Sequence, residues 1–184
     1  MYKHCNTEEG VRRQRQLEQC LLELMAEIPY GAITVGQICE TAGVSRKAFY
    51  RYFSSKDGCL HALLDHVIMD GSAYYMPESR GKISDCEFCI RIFEYWQRQT
   101  PLLDALEHNE KNLQLLQRII HYIREEETDF ARYMEVPENS LMEYIVFTVS
   151  GVMGLVLTWH HEGYPKSAQQ MGELLYQMIQ NRKL

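Results

Sequence analysis

The chain has 184 residues, of which 46% are hydrophobic and 24% charged, and its formal net charge is −6. This composition is typical of a globular protein and excludes a disordered, collagen-like or low-complexity chain. With only 5 proline and 11 glycine residues, the sequence favours helices over a turn-rich β fold. The net charge does not indicate nucleic-acid binding, so any such function must rest on local charge.

The sequence predicts a cytoplasmic protein with no membrane partner. Its first twenty residues show no apolar region of the kind found in secretory signals. The most apolar stretch, Tyr144–Trp159, is sixteen residues long, whereas a membrane-spanning helix needs about 20. We therefore expect this stretch to form a helix that is buried on most sides. The six cysteines are predicted to be reduced thiols.

The first predicted helix is amphipathic. Apolar residues from Leu17 to Ile28 recur at the i, i+3, i+4 and i+7 spacing of one helix face. The sequence Pro29-Tyr30-Gly31 is expected to end this helix, because proline supplies no backbone N–H to continue it.

Two short helices joined by a glycine turn are predicted next. Thr34 and Gln37 have the spacing of a capping box, so a second helix should begin at Thr34. Gly43 is expected to end it in a left-handed conformation. Ser45 then caps a third helix, predicted over residues 46–52, which gives a helix-turn-helix.

The third helix and its flanks carry a local positive charge. Arg46, Lys47, Arg51 and Lys56 lie between Glu40 and Asp57 with no acidic residue among them, which is +4 in a chain of −6. Phe49 and Phe53 are four residues apart, so they can share a buried face and leave the basic residues outside. Such a helix can enter a major groove about 12 Å wide. Hydroxyl groups suited to phosphate oxygens are those of Ser45, Tyr50, Tyr52, Ser54 and Ser55.

The segment Ile33–Leu64 strongly resembles the TetR family of bacterial transcriptional regulators. The likeness is carried by Thr34, Ile38, Ala42-Gly43-Val44-Ser45, Phe49-Tyr50-Arg51-Tyr52-Phe53 and Lys56-Asp57. An amphipathic helix precedes this run, as in the family, and Gly151, Gly154 and Trp159 resemble the end of the family's regulatory domain. The resemblance implies DNA binding by a helix-turn-helix.

The resemblance also implies a role for each matching residue. Arg46 and Lys47 would reach base edges, and arginine favours the O6 and N7 atoms of guanine. Ala48 would place its methyl group against a thymine methyl, and Arg51 would point sideways to the DNA backbone. The residues expected to bond phosphate oxygens are Thr34, Tyr50, Tyr52 and Lys56.

The predicted fold is all-α, with about nine helices in two domains. Ser54 or Ser55 should cap a fourth helix, after which residues 76–82 interrupt the helical pattern. We expect a helix-turn-helix domain over residues 1–75 and a regulatory and dimerisation domain over residues 76–184. Further helices are predicted near residues 83–99, 101–108, 111–132, 137–162 and 167–182.

The last two helices are predicted to form a dimer interface. Gly151 and Gly154 would let a facing helix approach closely, and helix-turn-helix proteins usually read two half-sites as dimers. By resemblance, two helices from each chain would form a four-helix interface. The alternative is that both apolar stripes are intramolecular core. The predicted interface residues are Tyr144, Thr148, Val152, Leu155, Trp159, Leu175 and Met178.

A small-molecule effector is a further implication of the resemblance. It would bind among the middle helices and shift the protein toward a DNA-incompetent state, provided that it binds that state more tightly. Ordinary hydrophobic core is the alternative for the same aromatic and methionine residues. The predicted pocket residues are Phe88, Phe93, Trp96, Tyr122, Phe130, Met134 and Phe147.

No enzyme, cofactor or metal site is predicted. The sequence shows no catalytic triad with a supporting motif, no phosphate-cradling glycine loop and no zinc signature. Cys86 and Cys89 have CxxC spacing, which predicts two core-facing thiols on one helix, with a thiol redox sensor as the alternative. The predicted function is a homodimeric repressor of a palindromic operator. The alternatives are a helical adaptor and a DNA-binding protein that needs no effector.

Overall fold

The computed structural model describes residues 2, 3, 5, 7–75, 84–125 and 140–180. Within these ranges the structure contains nine α-helices, one short 3₁₀ turn at Tyr30–Ala32 and one isolated β-bridge, which confirms the all-α prediction. In chain order the helices are α1 Glu8–Glu27, α2 Val35–Thr41, α3 Arg46–Phe49, α4 Lys56–Tyr75, α5 Asp85–Arg98, α6 Thr100–His108, α7 Asn112–Glu125, α8 Leu141–His161 and α9 Ala168–Gln180.

The chain divides into two compact units. The first contains residues 1–67 and 104–118, and the second contains residues 68–103 and 119–184. The first unit therefore joins the helix-turn-helix to the end of α6 and the start of α7. The predicted boundary at residue 75 lies beside residues 76–83, which are outside the described part of the chain.

Local capping explains where α1 begins and ends. The Thr7 side chain accepts a hydrogen bond from the backbone N–H of Gly10 at 3.2 Å, which satisfies a donor that the helix itself leaves unpaired. Leu17, Leu21 and Met25 are buried on the inner face. The helix ends at Glu27, two residues before Pro29, as the sequence predicts.

The turn between α2 and α3 is built as the sequence predicts. Thr34 and Gln37 form the predicted capping box at the start of α2. Gly43 has a φ of +65°, the left-handed conformation that glycine adopts without steric cost. The Val44 N–H then donates to the Cys39 carbonyl at 2.9 Å, which satisfies a carbonyl at the helix end.

Close packing of α9 on α5 forms part of the second unit's core. A Cβ atom on Gly172 would lie 2.4 Å from the Cα atom of Ile90, so only glycine allows this approach. Phe93 is fully buried and its ring meets Trp159 edge to face, with 5.4 Å between ring centroids. These two rings fill the space between α5 and α8.

The expectation that the apolar stretch in α8 is buried on most sides is wrong for the single chain. Ile145, Val149 and Val156 are buried, but only 22% of the most apolar 18-residue window is buried. By length and composition alone, α8 is the one helix in the described ranges that could cross a membrane. One face of α8 packs against other helices of the second unit, whereas Val146, Phe147, Gly151 and Gly154 on another side are exposed.

Candidate nucleic-acid interface

Two phenylalanine rings anchor the segment that follows the glycine turn. Phe49 and Phe53 are 0% and 1% exposed, and their ring centroids are 5.1 Å apart. This confirms the predicted shared buried face. Because both rings point inward, the intervening residues are turned toward the surface.

Most of the predicted DNA-contact residues of this segment are exposed. Arg46, Lys47 and Arg51 are exposed, and the Tyr50 side chain is 55% exposed. Thr34 and Ser45 are also exposed, whereas Ala48 and Tyr52 are half-buried. Three exposed cationic side chains and an exposed phenol ring thus lie within six consecutive residues, and we call Arg46, Lys47, Tyr50 and Arg51 the cationic face.

The third helix is shorter than predicted. Its α-helical part is Arg46–Phe49, whereas the sequence suggests a helix that continues to about Tyr52. Beyond Phe49, the N–H of Tyr52 bonds to the Phe49 carbonyl at 2.9 Å, and that of Arg51 bonds to the Ala48 carbonyl at 3.2 Å. These bonds to the residue three positions earlier tighten the chain into successive turns.

Arg46 lies across the first turn of α2. Its terminal nitrogen is 2.8 Å from the position that a Cβ atom on Gly36 would occupy. The absence of a side chain at Gly36 therefore makes room for the guanidinium group. Five N–H donors in a planar fork suit this group to a guanine edge or a phosphate.

The two predicted capping hydroxyls are engaged with the backbone. Thr34 Oγ1 accepts from the Gln37 N–H at 3.2 Å and donates to Gln37 Oε1 at 2.9 Å. Ser45 Oγ accepts from the Ala48 N–H at 3.2 Å. These bonds hold the starts of α2 and α3 in place.

Lys56 has a different environment from the one expected for a phosphate contact. Its ammonium group donates to the carbonyls of Tyr30 and Ile33, at 2.5 and 2.7 Å, and lies 4.3 Å from the centre of the Tyr30 ring. Burial lowers the pKa of Lys56. Two of its three N–H donors thus hold the connection between α1 and α2.

Sequence reasoning missed the residues that support this surface from a distance. Tyr30 donates its hydroxyl hydrogen to Asp57 at 2.6 Å, and Tyr2 pairs with Phe53 in the isolated β-bridge. Neither contact has a signal in sequence spacing, because each joins residues that are far apart in the chain.

The predicted dimer residues fall into three groups by exposure. Trp159 and Leu175 are buried within the chain, at 2% and 6% exposure, whereas Met178 is 42% exposed. The half-buried residues are Tyr144, Thr148, Val152 and Leu155. Between these residues, Phe147, Gly151 and Gly154 are exposed and lie at helical spacing along one line, which we call the open face of α8.

The predicted pocket residues do not all share one environment. Phe93 and Trp96 are buried, and Phe88 and Tyr122 are half-buried. Phe147 is 59% exposed on α8. Phe130 and Met134 lie outside the described residues.

The two cysteines with CxxC spacing are on α5. Cys89 is 2% exposed and Cys86 is half-buried. Burial raises the pKa of the Cys89 thiol to about 12, which disfavours the reactive thiolate. This environment fits the interpretation of Cys89 as a small core residue.

Comparison with known proteins places both parts of the chain in one family. Residues 21–63 match the model of the tetR family of bacterial regulatory proteins, and residues 86–181 match a transcriptional regulator C-terminal region. Among curated proteins, the chain is 22% identical to the nucleoid occlusion factor SlmA of Shewanella frigidimarina, over 76% of this chain and 73% of that protein. It is 24% identical to the SlmA protein of Shewanella denitrificans over 52% of this chain and about half (50%) of that protein.

Solved structures share the fold at low sequence identity. A TetR transcriptional regulator from Streptococcus agalactiae superposes with a TM-score of 0.61 at 18% identity and covers 93% of this chain and 95% of its own. The fatty acid degradation regulator FadR of Bacillus halodurans gives 0.59 at 16% identity, over 91% and 94% of the two chains. The matched models span the helix-turn-helix and more than half of the chain beyond it, so this chain belongs to the TetR family of transcriptional regulators.

Proposed function

We propose that this protein is a cytoplasmic repressor that binds a palindromic operator as a homodimer. The observation that carries the proposal is the cationic face, where Arg46 and Lys47 are exposed while Phe49 is fully buried. A short helix presented in this way can place its first side chains against base edges in the major groove. Members of the family bind DNA, and the family is in general not enzymatic.

Each predicted DNA-contact residue has a distinct proposed role. Arg46 and Lys47 read base edges, and the Ala48 methyl group contacts a thymine methyl. Arg51, Tyr50 and Tyr52 bind the DNA backbone and set the register of the protein on the duplex. Thr34 and Ser45 face phosphates from the helix starts that they cap. Lys56 positions the α1–α2 connection and offers its third N–H to a phosphate.

The open face of α8 supports the proposed homodimer. Phe147 is 59% exposed there, and a Cβ placed on Gly151 or Gly154 would meet, apart from its own stretch of helix, no atom of the described residues within 4 Å. A facing helix can approach closely along this line of small residues. Burial of the neighbouring Phe147 side chain in the interface would stabilise the dimer. Met178 and Ile179 of α9, 42% and 37% exposed, are further exposed apolar residues of the same unit. A two-fold symmetric pair would match a palindromic operator.

A small-molecule effector would act by shifting the population between two states. The middle helices hold Phe88, Trp96 and Tyr122 in partly or fully buried positions, which suits an aromatic-lined site. A thermal-shift screen of compound classes tests this part of the proposal, because a ligand of the native state raises the unfolding temperature. A screen in which no class stabilises the protein would instead favour the effector-independent alternative.

Selection of bound sequences from a random DNA pool tests the proposed function directly. We expect enrichment of a palindrome whose half-sites are separated by about one helical turn or a multiple of it. Failure to enrich any sequence at low ionic strength would contradict DNA binding and favour the helical adaptor.

Nucleoid occlusion is a second candidate, favoured by the similarity to SlmA over 76% of the chain. The two candidates predict different effects when the gene for this protein is deleted. Loss of a repressor changes transcript levels next to its operator, whereas loss of a nucleoid occlusion factor changes where division occurs relative to the chromosome. Septum position and transcript levels, measured in the same strain, distinguish the two.

A further inference from the structure

The N-terminal residues Tyr2 and Lys3 run alongside the end of the recognition segment. Tyr2 pairs antiparallel with Phe53, and the Lys3 N–H donates to the Tyr52 carbonyl at 2.9 Å. We call these two residues the arm. They contact the chain directly after the cationic face, at the residue expected to bind a phosphate.

A polar cluster in the first unit fixes the arm in this position. The Tyr2 hydroxyl donates to Asp65 Oδ2 at 2.7 Å, and Arg118 Nε donates to Asp65 Oδ1 at 2.6 Å. A second Arg118 nitrogen also bonds to Asp65, so the guanidinium group holds the carboxylate in bidentate fashion. Asp65 is only 7% exposed, and charge-assisted bonds are strong where water is largely excluded.

The backbone contacts place the two arm residues in different surroundings. Tyr2 is half-buried beside the buried Phe53, whereas Lys3 is exposed. Because the Lys3 N–H bonds to the Tyr52 carbonyl, the flexible Lys3 side chain begins at a backbone position next to Tyr52. The arm therefore adds one exposed cation within reach of the DNA surface proposed at Tyr52.

We propose that the arm is an additional element of the DNA-binding surface, in which Lys3 contacts a phosphate next to Tyr52 and Tyr2 is the positioning residue. The inference rests on the proposed function and extends it to residues outside the helix-turn-helix. Asp65 on α4 holds Tyr2, and Arg118 on α7 holds Asp65, so both helices support the position of the arm.

The substitution Lys3→Gln tests the phosphate contact, because it removes one charge from an exposed side chain with little risk to folding. Each phosphate neutralised contributes about 0.9 to the slope of log K against log salt. For each occupied arm we expect the slope to fall by about that amount and the affinity to fall by about fivefold to tenfold at 0.1 M salt. The matched control is Lys166→Gln, which removes the same charge from an exposed position in the turn after α8. An unchanged slope for Lys3→Gln, or an equal change for the control, would overturn the proposal.

The substitution Tyr2→Phe tests the positioning role, since it keeps the ring and removes only the hydrogen bond to Asp65. If Tyr2 positions Lys3, Lys3→Gln will have a smaller effect on affinity in the Tyr2→Phe background than in the wild type. Equal effects in both backgrounds would overturn the role of Tyr2. If the wild-type protein binds no duplex at all, the proposed function fails; if it binds and Lys3→Gln binds equally well, only the arm proposal fails.

Discussion

Asn109, in the turn between α6 and α7, accepts a hydrogen bond from the backbone N–H of Tyr30 at 2.5 Å. Its amide nitrogen donates to the carbonyls of Met25 and Ala105, at 2.9 and 2.7 Å. The Lys111 ammonium lies 4.6 Å from the centre of the Tyr30 ring, which Lys56 also contacts. One asparagine thus ties the α6–α7 turn to the end of α1 and to the connection that leads into α2.

Replacement of this asparagine should destabilise the first unit. Asn109→Ala removes three hydrogen bonds and leaves partly buried backbone groups unpaired, which we expect to cost about 2–4 kcal/mol in the free energy of unfolding. Urea denaturation measures the change. The matched control is Asn112→Ala, because the Asn112 Oδ1 atom is buried with no hydrogen-bond partner among the described residues. If both variants have the same stability as the wild type, Asn109 does not have this role.

The Tyr30 hydroxyl should make stability depend on alkaline pH. Burial, together with the hydrogen bond to Asp57, raises the pKa of Tyr30 above its usual 10.0. Because the folded state favours the protonated phenol, this stabilisation is complete below pH 10 and is lost as the pH rises toward the folded-state pKa.

The substitution Tyr30→Phe checks that pH dependence. At about pH 8 it should cost about 1 kcal/mol, the typical net value of one hydrogen bond. Above about pH 10 the unfolding free energy of the variant should fall less steeply than that of the wild type. Part of the slope will remain, since burial and Asp65 also raise the pKa of Tyr2. If the unfolding free energies of variant and wild type change in parallel with pH, Tyr30 does not contribute to the pH dependence of stability.

A charge on the open face of α8 should prevent dimerisation. Phe147→Glu places a carboxylate where the proposed partner helix packs, and an unpaired charge is costly to bury. We expect a monomer by light scattering, together with weaker binding to a palindromic duplex. Leu113→Glu is the matched control, because Leu113 is 63% exposed on α7 in the first unit. A Phe147→Glu protein that keeps the wild-type mass would contradict the proposed interface.

Features governed by local chemistry could be predicted from the sequence. The Thr34–Gln37 capping box, the left-handed Gly43 and the burial of Phe49 and Phe53 each depend on residues within a few positions of one another. Backbone sterics and helix periodicity determine such features directly.

Features that depend on distant residues could not be predicted. The environment of Lys56 is set by carbonyls 26 and 23 positions earlier, and the arm depends on Asp65, which is 63 positions from Tyr2. The close approach at Gly172 depends on Ile90 in another helix. None of these contacts follows from periodicity or spacing, since each exists only after the helices have packed.

The most direct test of DNA recognition by the cationic face is a titration of the selected duplex with the wild type and the double variant Lys47→Ala, Tyr50→Ala. Both side chains are exposed, and the Tyr50 ring meets Phe49 only edge to face at 5.5 Å, so the double variant should still fold. Its unfolding temperature checks this, and Lys166→Ala provides the control for charge loss. We expect the double variant to bind at least about 1,000-fold more weakly, because each lost contact costs about 1–3 kcal/mol and a dimer loses both contacts twice. Unchanged affinity in the folded double variant would contradict the assignment of this surface to DNA binding.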